Sequence, residues 1–398
     1  MKLDTLVQNT TELRSYNTKK IIDYLKQNDS ATKKELSNQL NLCFATVSNI
    51  CNQLIADGIL KYVSSQHSSG GRIPKLLSIN ASSRYTFCLN LTEKDRIHAA
   101  IVNLKNDIVA SEKEILPCNA TFDDFMDIMG RIYKKMCTEL RIDSEKLLGV
   151  GVAAPGIMNR NNGCLVNSTN ILFENVPLQQ ILEDFFNLPI NIENESNLLV
   201  VAESLFGPTE VLGKDMIYLF VGEGLGVGII SNKNVLTGSR GLGGEISHIP
   251  VGERQFPCAC GHFGCAESEL ALQGFLRKYQ SNQDTALCFT TQCWEEFVAA
   301  LFNGDANAQS VMAENGRILG KLLSILINLF DPQVIYIGGI TEKIFDFLYP
   351  HIVDEVSKRV ILYNFHEIPI VNSMNYKELI FKGSGELIIN SWRPRFQD

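Results

Sequence analysis

The chain has 398 residues, of which 45% are hydrophobic and 20% charged; this composition fits a folded protein of two or three domains and excludes a disordered or collagen-like chain. No apolar run reaches the eighteen or more residues of a membrane span, and the first fifteen residues lack the apolar core of a secretory signal, so a cytoplasmic protein is expected. The total charge of −8 is uneven: residues 1–80 hold ten Lys/Arg against six Asp/Glu, a net of +4, which leaves −12 on the remainder and points the head alone at a polyanion.

In the head, Ile21, Ile22 and Leu25 have helical spacing. A second helix opens at Thr32-Lys33-Lys34-Glu35, a capping box that satisfies two orphan amides, and Leu36 and Leu40 continue its apolar face. Asn41-Leu42-Cys43 reads as a tight turn, because Asn tolerates the left-handed conformation. A third helix follows from about Phe44 and ends at Gly58, with Val47, Ile50, Cys51, Leu54 and Ile55 on one face. Two strands, 59–63 and 74–79, flank a Ser- and Gly-rich loop containing Gly70-Gly71-Arg72.

Three short helices and a two-stranded ribbon form a winged helix-turn-helix whose third helix enters the major groove. Its outward positions are Phe44, Ala45, Thr46, Ser48 and Asn49. Asn49 can contact adenine bidentately, and Thr46 and Ser48 can donate to phosphates or base edges. Arg72, on a glycine-flexed wing, suits a narrow minor groove. Three helices alone would also permit a dimerisation bundle; the turn, the basic bias and the wing favour double-stranded DNA.

The segments Glu35-Leu36, Ala45-Thr46-Val47-Ser48, Leu54-Ile55, Gly58-Ile59-Leu60 and Ser69-Gly70-Gly71-Arg72-Ile73-Pro74 resemble the DNA-binding domain of ROK-family repressors. The resemblance implies a winged helix-turn-helix over residues 1–80 and a two-lobed, actin-like sugar-binding domain over 81–398. The first lobe would cover about 81–193 plus a C-terminal helix and the second about 194–380, with a ligand cleft between them. The sequence agrees with an α/β body. Apolar runs at 85–91, 97–103, 148–152, 190–192, 216–221, 226–230 and 334–337 read as strands, and 122–141, 178–186, 198–205, 308–329 and 344–358 as helices.

The chain has eleven cysteines, and in a reducing compartment these are read as metal ligands or core residues, not disulfides. The run Cys258-Ala259-Cys260-Gly261-His262-Phe263-Gly264-Cys265 gathers three soft donors around two glycines, a compact knuckle suited to zinc. Spacing leaves His248 and His262 both open as the fourth ligand. The ROK pattern, in which Glu-x-Gly-His precedes the cysteines, selects His248 from Glu245-Ile246-Ser247-His248. With four protein ligands the zinc would be structural.

The resemblance also implies that Glu245, His248 and Glu267 face a sugar, with Ser247 in the place of the family's glycine. Carboxylates can grip vicinal hydroxyls through two acceptor oxygens. Gly151-Val152-Ala153-Ala154-Pro155-Gly156 resembles the family's Gly-x-x-x-Pro-Gly loop, and Asn170 matches its sugar-contacting asparagine. In Glu193-Asn194-Glu195, Asn194 would bind a hydroxyl, and Glu195 replaces the Asp that acts as general base in the kinases.

Phosphate handling departs three times from the kinase pattern. Asp-x-Gly-Gly-Thr becomes Asn90-Leu91-Thr92-Glu93-Lys94, and the Thr of the second glycine loop becomes Glu223 in Gly222-Glu223-Gly224-Leu225-Gly226-Val227-Gly228. A Gly-Gly-Gly is reduced to Gly338-Gly339-Ile340. Phosphoryl transfer is positioning and charge neutralisation, so these changes predict a kinase-like body without catalysis. The expectation is a sugar-responsive repressor of carbohydrate-utilisation genes. It would act as a homodimer or homotetramer on a palindromic operator, with a sugar or sugar phosphate as effector. The alternatives are an ATP-dependent hexose kinase and a repressor switched by a protein partner.

Overall fold

The computed structural model describes residues 10–64, 75–93, 95–117, 120–159, 162–167, 176–208, 212–252, 256–281, 287–361 and 367–394. The chain forms two compact units. One comprises residues 1–152, 179–192 and 384–398, and the other residues 153–178 and 193–383.

The first unit begins with α1 (Thr10–Gln27), α2 (Lys33–Leu40) and α3 (Phe44–Ala56), followed by the antiparallel pair β1 (Leu60–Val63) and β2 (Leu76–Ile79). The local signals act as read. Thr32 and Glu35 form both halves of the capping box, and Asn41 ends α2 in the left-handed region with φ 52°. Wing residue Arg72 lies outside the described residues. Next come β3 (Tyr85–Asn90), β4 (Arg96–Asn103), β5 (Ile108–Ile115), α4 (Phe122–Glu139) and β6 (Leu147–Ala153). The hairpin β7 (Ile157–Asn159) and β8 (Cys164–Asn167) belongs to the second unit, and α5 (Leu178–Phe186) and β9 (Ile190–Glu193) return to the first sheet, whose order is β5-β4-β3-β6-β9.

The second unit continues with α6 (Glu195–Phe206), β10 (Met216–Val221), β11 (Leu225–Ser231) and β12 (Asn234–Val235). Then follow α7 (Ala266–Leu270), α8 (Leu272–Gln280), α9 (Thr291–Phe302), α10 (Ala306–Phe330), β13 (Val334–Gly339), α11 (Phe345–Arg359) and β14 (Ile370–Asn372). Its sheet runs β12-β11-β10-β13-β14, with β10, β13 and β14 parallel and the other pairs antiparallel. α12 (Tyr376–Ser391) closes the chain and contributes residues to both units. Helix α6 starts three residues before the expected 198, because Asn194 caps it directly after β9.

The reading of the cysteines needs one correction. Cys288 and Cys293 form a disulfide. Thr290 accepts from the amide of Cys293 as the N-cap of α9, and this turn brings the two side chains together. Domain grouping also differs from the sequence reading, which placed 153–178 in the first lobe and set the head apart. Residues 153–178 cluster with the second unit. The head shares a core with its neighbours: Ile21, Leu25, Leu36, Val47 and Leu54 belong to one cluster with Leu104, Leu148, Ile388 and Ile389.

A buried ion pair reinforces that core. Lys26 of α1 donates to Glu386 of α12, with side chains only 9% and 5% exposed. The same carboxylate accepts from the Asn106 amide. Breaking a buried pair leaves an uncompensated charge, which costs about 3–5 kcal/mol. Glu386→Ala is therefore expected to lower stability on that scale in urea unfolding of the full chain. A loss below about 1 kcal/mol would mean that the pair is solvated.

Candidate functional site

The knuckle is a tight turn. The Gly261 amide donates to the Cys258 carbonyl at 3.0 Å and the Cys258 amide to the His262 carbonyl at 2.8 Å. Bridges between Pro257 and Phe263 and between Pro250 and Cys265 hold its limbs together. The donor atoms of His248, Cys258, Cys260 and Cys265 all lie within 4.8 Å of one another. The Cys260 and Cys265 sulfurs are 3.7 Å apart, and Cys258 Sγ is 3.6 Å from His248 Nδ1. A tetrahedron with metal–sulfur bonds of about 2.3 Å has edges of about 3.8 Å, so the donor set fits a small thiophilic ion. His262 Nδ1 lies 3.5 Å from Cys260, but His248 is the imidazole that joins the four-residue cluster.

Burial pushes the Cys258 thiol up to about 12 and also raises Cys265. Hydrogen bonds from the backbone and side chain of His262 pull Cys260 down to about 6. Thiolates are the metal-binding form, so an ion bound here would displace protons.

Beside the knuckle, and within the second unit, is a cavity of about 340 Å³. Asn194, Glu195, Glu245, His248 and Glu267 all line it, so the structure gathers five of the six sequence-selected ligand residues. The sixth, Asn170, lies outside the described residues. Asn194 sits where β9 turns into α6, and its Oδ1 accepts from the Asn197 amide at 2.8 Å and from Ser196 Oγ at 3.2 Å. Its amide nitrogen is thus the group offered to a ligand. Glu195 occupies the first turn of α6, where the helix dipole favours a negative charge.

Burial raises the Glu245 carboxyl; nearby His248 partly offsets this and Glu267 adds to it. Glu267 ties the knuckle to the β10–β11 turn: Oε2 accepts from the Leu225 amide at 3.4 Å, and Oε1 is 3.7 Å from Cys258 Sγ. Sequence reasoning assigned Gly224-Leu225-Gly226-Val227 to a phosphate loop, yet these residues line the cavity. A Cβ on Gly228 would come within 2.2 Å of the Ser196 carbonyl, so the close packing of α6 on β11 itself demands glycine there.

The other phosphate positions have structural occupants. Asn90 Oδ1 accepts from the Thr92 amide at 3.0 Å and from Thr92 Oγ at 2.8 Å. Glu93 pairs with Arg96 at 3.1 Å. Gly339, at φ 94°, would place a Cβ 2.0 Å from the Val221 carbonyl.

On the head, α3 presents Phe44, Ala45 and Asn49 as exposed, with Thr46 and Ser48 partly covered. Thr46 Oγ lies 2.9 Å from Cys43 Sγ. Lys33 of α2 donates to Ser48 Oγ at 3.3 Å and to Asn52 Oδ1 at 2.5 Å. Lys33 and Asn52 were missed from sequence; the capping-box reading of Lys33 gave no sign that it crosses to α3.

Comparison with known proteins agrees with these two parts. A winged helix-turn-helix DNA-binding model matches residues 14–61, and a model for the ROK family matches residues 93–378. The chain is 26% identical over 395 residues to the xylose repressor of Caldicellulosiruptor bescii, covering 96% of this chain and 97% of that one. It is 29% identical over 381 residues to the N-acetylglucosamine repressor of Escherichia coli O157:H7, covering 92% and 91%. A solved structure described as a ROK family transcriptional regulator, homologous to the Escherichia coli MLC protein, has the same fold. Its TM-score is 0.80 at 23% identity, over 95% of this chain and 96% of that one. Among the described residues, no helix is long and apolar enough to cross a membrane.

The elevated Glu245 pKa has a consequence for stability. The native state favours the protonated carboxyl, so the contribution is complete below the unfolded carboxylate pKa and is lost as pH rises through the folded value. Glu245→Gln should melt near the parent at pH 4 and above it, by roughly 1–3 °C, at pH 7. A gap that does not change with pH, or one of opposite sign, would contradict the burial of this charge.

Proposed function

The chain belongs to the ROK family, and from that premise we propose that it is a sugar-responsive transcriptional repressor of carbohydrate-utilisation genes. The carrying observation is that one chain joins an exposed recognition helix to a cavity lined by three carboxylates and an asparagine. Residues 1–80 read double-stranded DNA through Phe44, Ala45, Thr46, Ser48, Asn49 and the wing residue Arg72, and residues 81–398 bind the effector. Two heads of a cytoplasmic homodimer or homotetramer read the two halves of a palindromic operator. The names of the relatives, repressors for xylose and for N-acetylglucosamine, support the sugar.

In the cavity, Glu245 and Glu267 accept from sugar hydroxyls, as does Glu195, and the Asn194 amide donates to them; Asn170 adds a contact from its own segment. His248, Cys258, Cys260 and Cys265 would hold zinc, which would supply a structural anchor and no catalysis. With His248 Nδ1 toward Cys258, the other ring nitrogen is available to the sugar. The body does not phosphorylate its ligand. Glu195 carries the base position one methylene further out than Asp, and positions 90, 93 and 223 have lost what phosphoryl transfer requires.

Effector binding reaches the head through α12, one helix that contributes to both units and carries Glu386, the partner of Lys26. A sugar moves this equilibrium only by its different affinity for two states of the protein.

Fluorescence anisotropy on the DNA upstream of the gene and its neighbours, at fixed salt, tests this reading. Specific binding is expected, abolished or changed by one member of a panel of pentoses, hexoses, amino sugars and their 6-phosphates. Asn49→Ala should weaken operator binding by about 1–3 kcal/mol. No ADP should be released with any of these sugars and ATP. Specific DNA binding that no sugar disturbs would transfer the switch to a protein partner; absence of specific binding would overturn the repressor. The metal has its own test. One zinc per chain is expected by elemental analysis, lost in Cys265→Ser and retained in His262→Ala. Substoichiometric zinc in the parent would remove the anchor from this account.

A further inference from the structure

Resting on the DNA-binding reading of the head, we infer that Lys33 is a positioning residue of the recognition face. It holds Ser48 and Asn52 as hydrogen-bond donors. This edge of α3 then engages an acceptor on the operator, a backbone phosphate oxygen or the N7/O6 edge of guanine, and Asn52 does not read adenine.

The observation is one ammonium on two acceptors. Lys33 Nζ lies 2.5 Å from Asn52 Oδ1 and 3.3 Å from Ser48 Oγ. An ammonium has three donors and no acceptor, so the contact itself fixes which end of the Asn52 amide faces α2. Oδ1 turns toward Lys33, and Nδ2 turns away from it. Ser48 Oγ accepts from the same ammonium, which directs its own hydrogen elsewhere. Bidentate recognition of adenine needs the amide oxygen to accept from N6 while the nitrogen donates to N7. Lys33 sets a donor and a positive charge where the N6 hydrogens would have to come.

The three residues sit at the border of the reading face. Phe44, Ser48 and Asn52 are spaced by four and share one stripe of α3, with Ala45 and Asn49 on the next. Asn52 is exposed, and Lys33 and Ser48 are half-buried. Lys33 opens α2 directly after the Thr32 cap, and the buried side chains Leu36, Val47, Ile50 and Cys51 belong to the core that packs α2 with α3. In this motif the first helix crosses the DNA backbone and the second lies in the major groove. An edge shared by the two helices therefore stands between phosphates and base edges.

The test selects duplexes from a random-sequence pool with the full chain, then measures anisotropy on a selected duplex and on the unselected pool across a salt series. Asn52→Ala and Lys33→Met should each weaken binding roughly two- to tenfold, with the melting temperature unchanged. A phosphate contact shows as an equal loss on all sequences, with the log–log salt slope of Lys33→Met shallower by about 0.9. A guanine contact shows as the loss of a guanine preference at one half-site position in both variants, with the slope unchanged. Loss of an adenine preference in Asn52→Ala overturns the inference, because Oδ1 would then face the base. Affinity, preferences and slope that match the parent in both variants overturn it too, and reduce the contact to a strut between α2 and α3. Either result leaves the repressor reading standing. A parent chain that binds neither duplex would instead overturn the DNA-binding reading, and the inference with it.

Discussion

Four donor atoms from two short segments, His248 and the Cys258–Cys265 turn, meet at one place in the second unit. Among the described residues between β12 and α8, the regular structure is one turn of 3-10 helix at Ile246–His248 and the five residues of α7. Hydrogen bonds join its limbs: the Val251 and Gly252 amides donate to the Gly264 carbonyl, and the Ala266 amide to Ile249. Glu245 and Glu267 stand at its two ends. The positions of two of the three cavity carboxylates therefore follow from the knuckle. Beneath it, α7 is anchored by Lys278, whose buried ammonium lies 3.1 Å from Glu269 Oε2 and 2.7 Å from Asn315 Oδ1. A binding site built on irregular chain needs such supports, because side chains on loops are otherwise loosely placed.

Within the first unit the constraint is a shared core. The apolar faces of α1, α2 and α3 are too small to bury themselves completely, and Ile388 and Ile389 of α12 complete them. The buried Lys26–Glu386 pair joins α1 to α12 beside that contact. Asp23 lies nearby, and its carboxyl is raised chiefly by burial, with Glu386 adding to it.

What was legible in the sequence was local. A capping box, a left-handed Asn and apolar runs act within a few residues, so the head helices and the central strands were found with small errors at their ends. The strand β5 was missed because Ile108–Ile115 alternates half-buried and exposed positions and is rich in charge, the pattern of a sheet edge. The extent of α12 was missed because Gly383 and Gly385 look like breakers. Gly383 is there because a Cβ would come within 2.4 Å of the Leu198 carbonyl, a contact across 185 residues that no local pattern carries. The grouping of His248 with Cys258, Cys260 and Cys265, and of five residues around one cavity, followed from motif order. Lys33 over Ser48 and Asn52, and Lys278 beneath the knuckle, were not legible, since each partner is set by tertiary packing.

The glycine turn shows that a kinase-like pattern can also be demanded by packing. Read as a motif, Gly222 to Gly228 belongs to phosphate binding. In the folded chain Gly228 is demanded by the Ser196 carbonyl, Gly226 sits 3.0 Å in projected Cβ distance from Ser196 Oγ, and Gly224 faces Glu267 Oε2. Gly226 and Gly228 serve the packing of α6, the helix that begins at Glu195 after its cap Asn194, whatever the turn binds. The positions free of that duty are the ones that have changed: Asn90 caps its own turn through Thr92, Glu93 pairs with Arg96, and Glu223 is exposed. A protein that reports a sugar must bind it without consuming it. On the proposed reading, a cavity lined by Asn194, Glu195, Glu245 and Glu267 beside turns filled by the fold's own hydrogen bonds would let the chain bind a sugar without phosphorylating it.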